Sequence, residues 1–147
     1  MKLALMKTGA SVIGLAVVFA CGGDTSGPCS NALTGSYIAT EFVTTGSSGQ
    51  TNQLLAGSTV NIALLCNGTT TGHLHLVQTA STPAFDADLA GTWTRTGNTV
   101  TFSQSADTFI RDMDFTVVET SFGTQLVADD AFAGTRVQIT LTRGGEI

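Results

Sequence analysis

Lysine is nearly missing from this 147-residue chain: Lys2 and Lys7 are the only two, and beyond them positive charge rests on Arg95, Arg111, Arg136 and Arg143. Against these stand eleven Asp and Glu residues. Phosphate neutralisation by Lys and Arg supplies most of a protein's affinity for nucleic acid, so no nucleic-acid partner is expected. Anionic lipid headgroups repel such a chain too. Histidine is scarce at two residues and cysteine at three, and no cysteine has a second thiol or a histidine at ligand spacing. No apolar run reaches the roughly 20 residues that a membrane-spanning helix needs. Also missing are a Gly-x-Ser-x-Gly nucleophile elbow, a Gly-rich phosphate loop and the alternating ligands of a calcium loop. No motif names a reaction; neither an enzymatic activity nor a cofactor is expected.

The first 24 residues, MKLALMKTGASVIGLAVVFACGGD, carry the strongest positive signal. Lys2 and Lys7 form a basic start, Ser11 to Ala20 form a short apolar run, and a small residue then precedes Cys21. This is the layout of an export signal. Val18-Phe19-Ala20-Cys21 resembles the lipobox of bacterial lipoproteins, which implies cleavage before Cys21 and acylation of its thiol. Residues 1–20 are then a signal peptide, residues 21–32 a small and polar tether that includes GGDTSGP, and residues 33–147 one domain. The mature chain keeps the four arginines and all eleven acids, a net charge of −7. Its attachment to a membrane must come from acyl chains on Cys21, and more than one chain is needed for stable anchoring. Aspartate immediately after the lipidated cysteine is associated with retention at the inner membrane; here Asp24 stands three residues after it, which points to the outer membrane, facing the periplasm.

With Cys21 assigned to lipid, Cys29 and Cys66 remain as an even pair in an oxidising compartment, and a disulfide is expected. Two free thiols or a metal pair are the alternatives.

From Leu33 to Arg143 apolar residues recur with period two, threonine abounds and Gly or Asn-Gly breaks arrive every 8 to 15 residues, the pattern of an all-β domain without helix. Eight strands are predicted: 35–44, 59–66, 70–78, 89–96, 99–103, 112–120, 124–129 and 136–143. Asn67-Gly68 and Gly97-Asn98 supply tight turns. The longest connections are 46–57 and 79–88. Eight sequential antiparallel strands can close into an up-and-down barrel, which removes exposed edges; a β-sandwich is the alternative.

Leu33-Thr34-Gly35-Ser36-Tyr37 resembles the Gly-x-Trp opening strand of lipocalin-like domains, with Tyr37 in the place of tryptophan. Leu89-Ala90-Gly91-Thr92-Trp93, with Gly97-Asn98-Thr99-Val100-Thr101-Phe102, is similar to a mid-barrel pattern of bacterial lipocalin-like lipoproteins. The resemblance spans roughly residues 33–143. It implies an arginine packed over the opening aromatic, a place that Arg143 or Arg136 could take. It also implies an inner face, built from Tyr37, Ile62, Leu64, Trp93, Phe102, Phe115 and Ile139, that holds a small apolar ligand. The competing expectation is a structural or protein-interaction module of the envelope with a solid interior.

Two clusters could carry chemistry. His73 and His75 share one strand face, as two nitrogen ligands for Zn²⁺ or Cu²⁺ would. Two ligands are too few, and no nearby Cys, Asp or Glu supplies the rest in sequence; folding could bring Glu41 or Asp114 close, but an exposed strand face and no metal is expected. Asp112 and Asp114 are read as a solvated face, and Asp129-Asp130 as a turn.

Overall fold

The computed structural model describes residues 32–80 and 82–144. The signal segment, Cys21 and Cys29 lie outside the described residues. Ten strands follow in order: β1 (Gly35–Gly46), β2 (Gly49–Asn52), β3 (Thr59–Leu64), β4 (Thr69–Leu76), β5 (Phe85–Asp88), β6 (Gly91–Thr96), β7 (Thr99–Gln104), β8 (Phe115–Thr120), β9 (Gly123–Phe132) and β10 (Thr135–Arg143). One helical turn, α1 (Phe109–Asp112), separates β7 from β8.

Eight of these strands form a closed antiparallel barrel in which each pairs with its neighbour, and β10 returns to pair with β1. The closing seam runs from Tyr37 opposite Arg143 to Thr45 opposite Arg136. That seam decides for the barrel over the sandwich. A register shift between Ala39 and Glu41 bends β1 along the seam, as a bulge does, and the Thr40 hydroxyl meets that of Thr142 at 2.7 Å.

All eight predicted strands are present, because each alternates apolar and polar residues and ends in turn chemistry. Three features depart from the expectation. The connection 46–57 contains β2, which pairs with the far half of β1, and 79–88 contains β5, which pairs with the far half of β4. β2 is polar throughout; β5 does alternate Phe85, Asp86, Ala87 and Asp88, but over four residues beside a polar, proline-containing stretch, and both draw their order from the strand beside them. Residues 109–112, part of them expected in a strand, form α1 instead; the Thr108 hydroxyl caps it by accepting from the Arg111 N–H at 3.3 Å. Capping by threonine satisfies an amide that the turn leaves open. Asp112 therefore does not share a strand face with Asp114, but pairs with Arg111.

β4 is lined along one edge first by β6, at Thr69 and Thr70, and then by β5, from His73 to Leu76. The chain passes between them at Leu89, whose amide donates to the Gly72 carbonyl at 3.0 Å. Gly72 permits the approach of β3 from the other side: a Cβ there would stand 2.2 Å from the Asn61 carbonyl oxygen.

Candidate functional site

Alternation along the eight strands sends Tyr37, Ile62, Leu64, Trp93, Phe102, Phe115 and Ile139 into the barrel, where all seven are buried and belong to one continuous apolar core. They pack rather than line a chamber. Phe102 and Phe115 meet edge to face with centroids 5.3 Å apart, and Trp93 donates its indole N–H to the Leu65 carbonyl at 3.0 Å. The Tyr37 hydroxyl donates to the Leu33 carbonyl at 2.8 Å, and burial pushes its pKa up despite the opposing pull of Arg143. None of the seven borders either of the two hollows described next.

The first hollow, about 200 Å³, sits at the end of the barrel where β1 finishes and β10 begins. Phe42, Leu76, Phe109, Phe132 and Val137 give it an apolar lining, closed on one side by Pro83. Phe109 reaches it because α1 folds over the barrel end and stacks on Phe42 at 5.4 Å. Beside it lies a buried polar relay. The Gln53 amide donates to the hydroxyls of Thr44, at 2.8 Å, and Thr82, at 3.0 Å, and accepts from Ser58 at 3.1 Å. These bonds hold the 53–58 turn and the Thr82 segment against the rim, and nothing in the alternating pattern signalled them.

At the opposite end, a groove of about 530 Å³ is bordered by Gly35, Ser36, Phe122, Gly123, Thr124, Arg143 and Gly144. Phe122 projects from the β8–β9 turn almost fully exposed. Arg143 donates to the Ala32 carbonyl at 2.9 Å and stands opposite Tyr37, whereas Arg136 pairs with Asp129 at the far end of the seam. The structure thus puts Arg143, and not Arg136, beside the opening aromatic.

Among the described residues, a group of four titratable side chains lies outside the barrel, on the β4–β5 ribbon. His73 and His75 face outward as expected, and the register sets His73 against Asp88 and His75 against Asp86. Glu41 is occupied elsewhere, accepting from the Thr140 hydroxyl; the carboxylates that approach the histidines are Asp86 and Asp88 of β5, inside the long connection 79–88. His73 Nε2 and His75 Nδ1 converge on Asp86 Oδ1 at 3.3 and 2.6 Å, while His73 Nδ1 meets Asp88 Oδ1 at 3.2 Å. The hydrogen bonds to Asp88 and Asp86 raise the His73 pKa above its ordinary value, and the bond from His75 holds Asp86 below its own. These side chains are closed on one another, and among the described residues no group of three or more His, Cys, Asp or Glu could hold a metal ion.

Cys66 sits exposed in the β3–β4 turn and is not a free thiol; its expected partner Cys29 lies outside the described residues. No helix among the described residues is long and apolar enough to cross a membrane. No protein-family model, curated protein or solved structure matches this chain.

Proposed function

We propose that this chain is an exported lipoprotein, acylated at Cys21 and carried on a short tether, whose barrel serves the cell envelope as an interaction module through its rims and outer face. The observation that carries this reading is the filled interior. Every residue expected to line a ligand chamber is packed in the core, and none of them borders either the apolar hollow at one rim, about 200 Å³, or the open groove of about 530 Å³ at the other. A solid barrel offers a rigid scaffold, and recognition then falls to what the ends and outer strands display. The lipid anchor follows from the basic start, apolar run and Val-Phe-Ala-Cys of the first 21 residues, and the outer membrane from the position of Asp24. A Cys29–Cys66 disulfide would tie the end of the tether to the β3–β4 turn.

A second reading rests on the rim hollow itself. Its lining of Phe42, Leu76, Phe109, Phe132 and Val137 suits one small apolar group, such as the end of an acyl chain, held at the mouth rather than inside.

Radiolabelled palmitate incorporated by cells expressing the chain, and lost on Cys21→Ser, tests the anchor; label that persists in the variant refutes it. Native mass spectrometry after gentle extraction separates the two readings. A bare mass supports the interaction module, whereas a lipid adduct lost on Phe109→Asp supports the rim site.

A further inference from the structure

We propose that the rim carrying the β8–β9 turn rests on the bilayer surface and places the ring of Phe122 among the lipids, so that the barrel stands with its other rim away from the membrane; this orientation rests on the acylation of Cys21. Phe122 is the most exposed large apolar side chain among the described residues, at 90%. The turn that presents it is braced, since the Thr120 hydroxyl accepts from the Phe122 N–H at 3.1 Å and donates to the Gly123 carbonyl at 2.8 Å. A ring so placed adds nothing to the core, and its apolar surface gains free energy only when something outside the barrel removes it from water. The boundary between headgroups and acyl chains takes up aromatic side chains in this way. Leu65, in the β3–β4 turn of the same rim, adds a second exposed apolar side chain.

The chain enters the barrel at this rim. Gly35 at the start of β1 pairs with Leu64 at the end of β3, and Gly35, Phe122 and Arg143 border one groove. The bonds from Tyr37 to Leu33 and from Arg143 to Ala32 fix the entry segment there. Eleven residues separate Cys21 from Leu33, a reach of no more than about 40 Å when fully extended and roughly 18 Å as a flexible coil. Acyl chains on Cys21 therefore hold the Phe122 rim close to the bilayer, at a high local concentration. The far rim stands the length of the strands beyond.

The charges of the described residues are divided to match. Near the Phe122 rim stand Arg143 and Arg95, the latter bonded to the Gly97 carbonyl of the β6–β7 turn, with Glu119 as the one acid. Toward the far rim stand Asp86 and Asp88 on β5, Asp107 and Asp112 beside α1, and Asp129 and Asp130 on β9, against only Arg111 and Arg136. A bilayer that contains anionic phospholipid repels the aspartate end and not the arginine end. Leu55, in the 53–58 turn, is 87% exposed, but it lies on the acidic rim, away from the tether, and serves as the internal control.

The test is photocrosslinking of the full acylated chain in vesicles of phosphatidylethanolamine and phosphatidylglycerol. Phe122→p-benzoylphenylalanine should give a lipid adduct on irradiation at least about fivefold more abundant than Leu55→p-benzoylphenylalanine does. Equal adducts from both positions, or none from position 122, in a chain that floats with the vesicles overturn the docking and leave the anchor standing. A chain that carries no acyl mass and fails to float refutes the anchor, and the docking with it. Phe122→Asp, a change at an exposed turn, should leave the thermal midpoint and the flotation as they are, yet reduce the adduct formed from Leu65→p-benzoylphenylalanine at least about threefold. An undiminished adduct overturns the part given to Phe122.

Discussion

Arg143 at the end of β10 stands directly across from Tyr37 at the start of β1, and together they pin the segment that leads into the barrel at its closing seam. Tyr37 bonds the carbonyl of Leu33 and Arg143 that of Ala32. A barrel is only as closed as its last pairing, and these two residues tie the entry segment at Ala32 and Leu33 to that pairing.

Tyr37→Phe keeps the ring and deletes the buried hydroxyl bond. The expected loss is about 1–2 kcal/mol, seen in a thermal melt as a fall of roughly 5 °C or more. An unchanged midpoint would show that the bond adds nothing to the seam.

Two glycines should separate close packing from turn conformation. At Gly72 an added methyl would meet the Asn61 carbonyl oxygen at 2.2 Å and the Ile62 Cα at 2.7 Å, both backbone atoms of β3. Gly97 has positive φ but open space around it. Gly72→Ala should cost about 3 kcal/mol or more and Gly97→Ala about 1–2, compared by urea unfolding. Equal costs would contradict the strand approach described here.

The histidine–aspartate cluster makes a signed prediction about pH. His73 has its pKa raised in the folded state, chiefly by Asp88 and then Asp86, so its contribution is complete below the unfolded value of about 6.5 and fades as pH rises through the folded value. Asp86 is lowered, chiefly by His75; its contribution is present above the unfolded carboxylate value and is lost as pH falls through the folded one. The cluster therefore supports the fold most between these limits, in mildly acidic solution. NMR titration should place the His73 midpoint above about 6.5, moving down in Asp88→Asn. A midpoint at or below the ordinary value would remove the basis for the pairing.

If Cys29 and Cys66 are joined, the linkage closes a loop of about 37 residues, worth roughly 3–4 kcal/mol by chain entropy. Non-reducing peptide mapping should recover both cysteines in one linked species, and Cys66→Ser should lower stability by that amount. Two alkylatable thiols in the oxidised, mature protein would exclude the staple.

What the sequence determined by itself was local. Period-two alternation in Val60, Ile62 and Leu64, or in Val137, Ile139 and Leu141, depends only on successive side chains pointing to opposite faces, and Asn67-Gly68 and Gly97-Asn98 turn the chain through their own backbone preferences. Eight strands and the identity of their inward residues were therefore legible in the order of the amino acids. Tertiary structure alone decided the rest. Closure required Tyr37 to find Arg143 more than a hundred residues away, and whether the inward residues filled the barrel depended on how all eight strands packed at once. The partners of His73 and His75 were hidden for a related reason: β5 is only four residues long, its alternation of Phe85 and Ala87 with Asp86 and Asp88 is too brief to announce a strand, and the two aspartates gain their meaning only from the register in which β4 receives them.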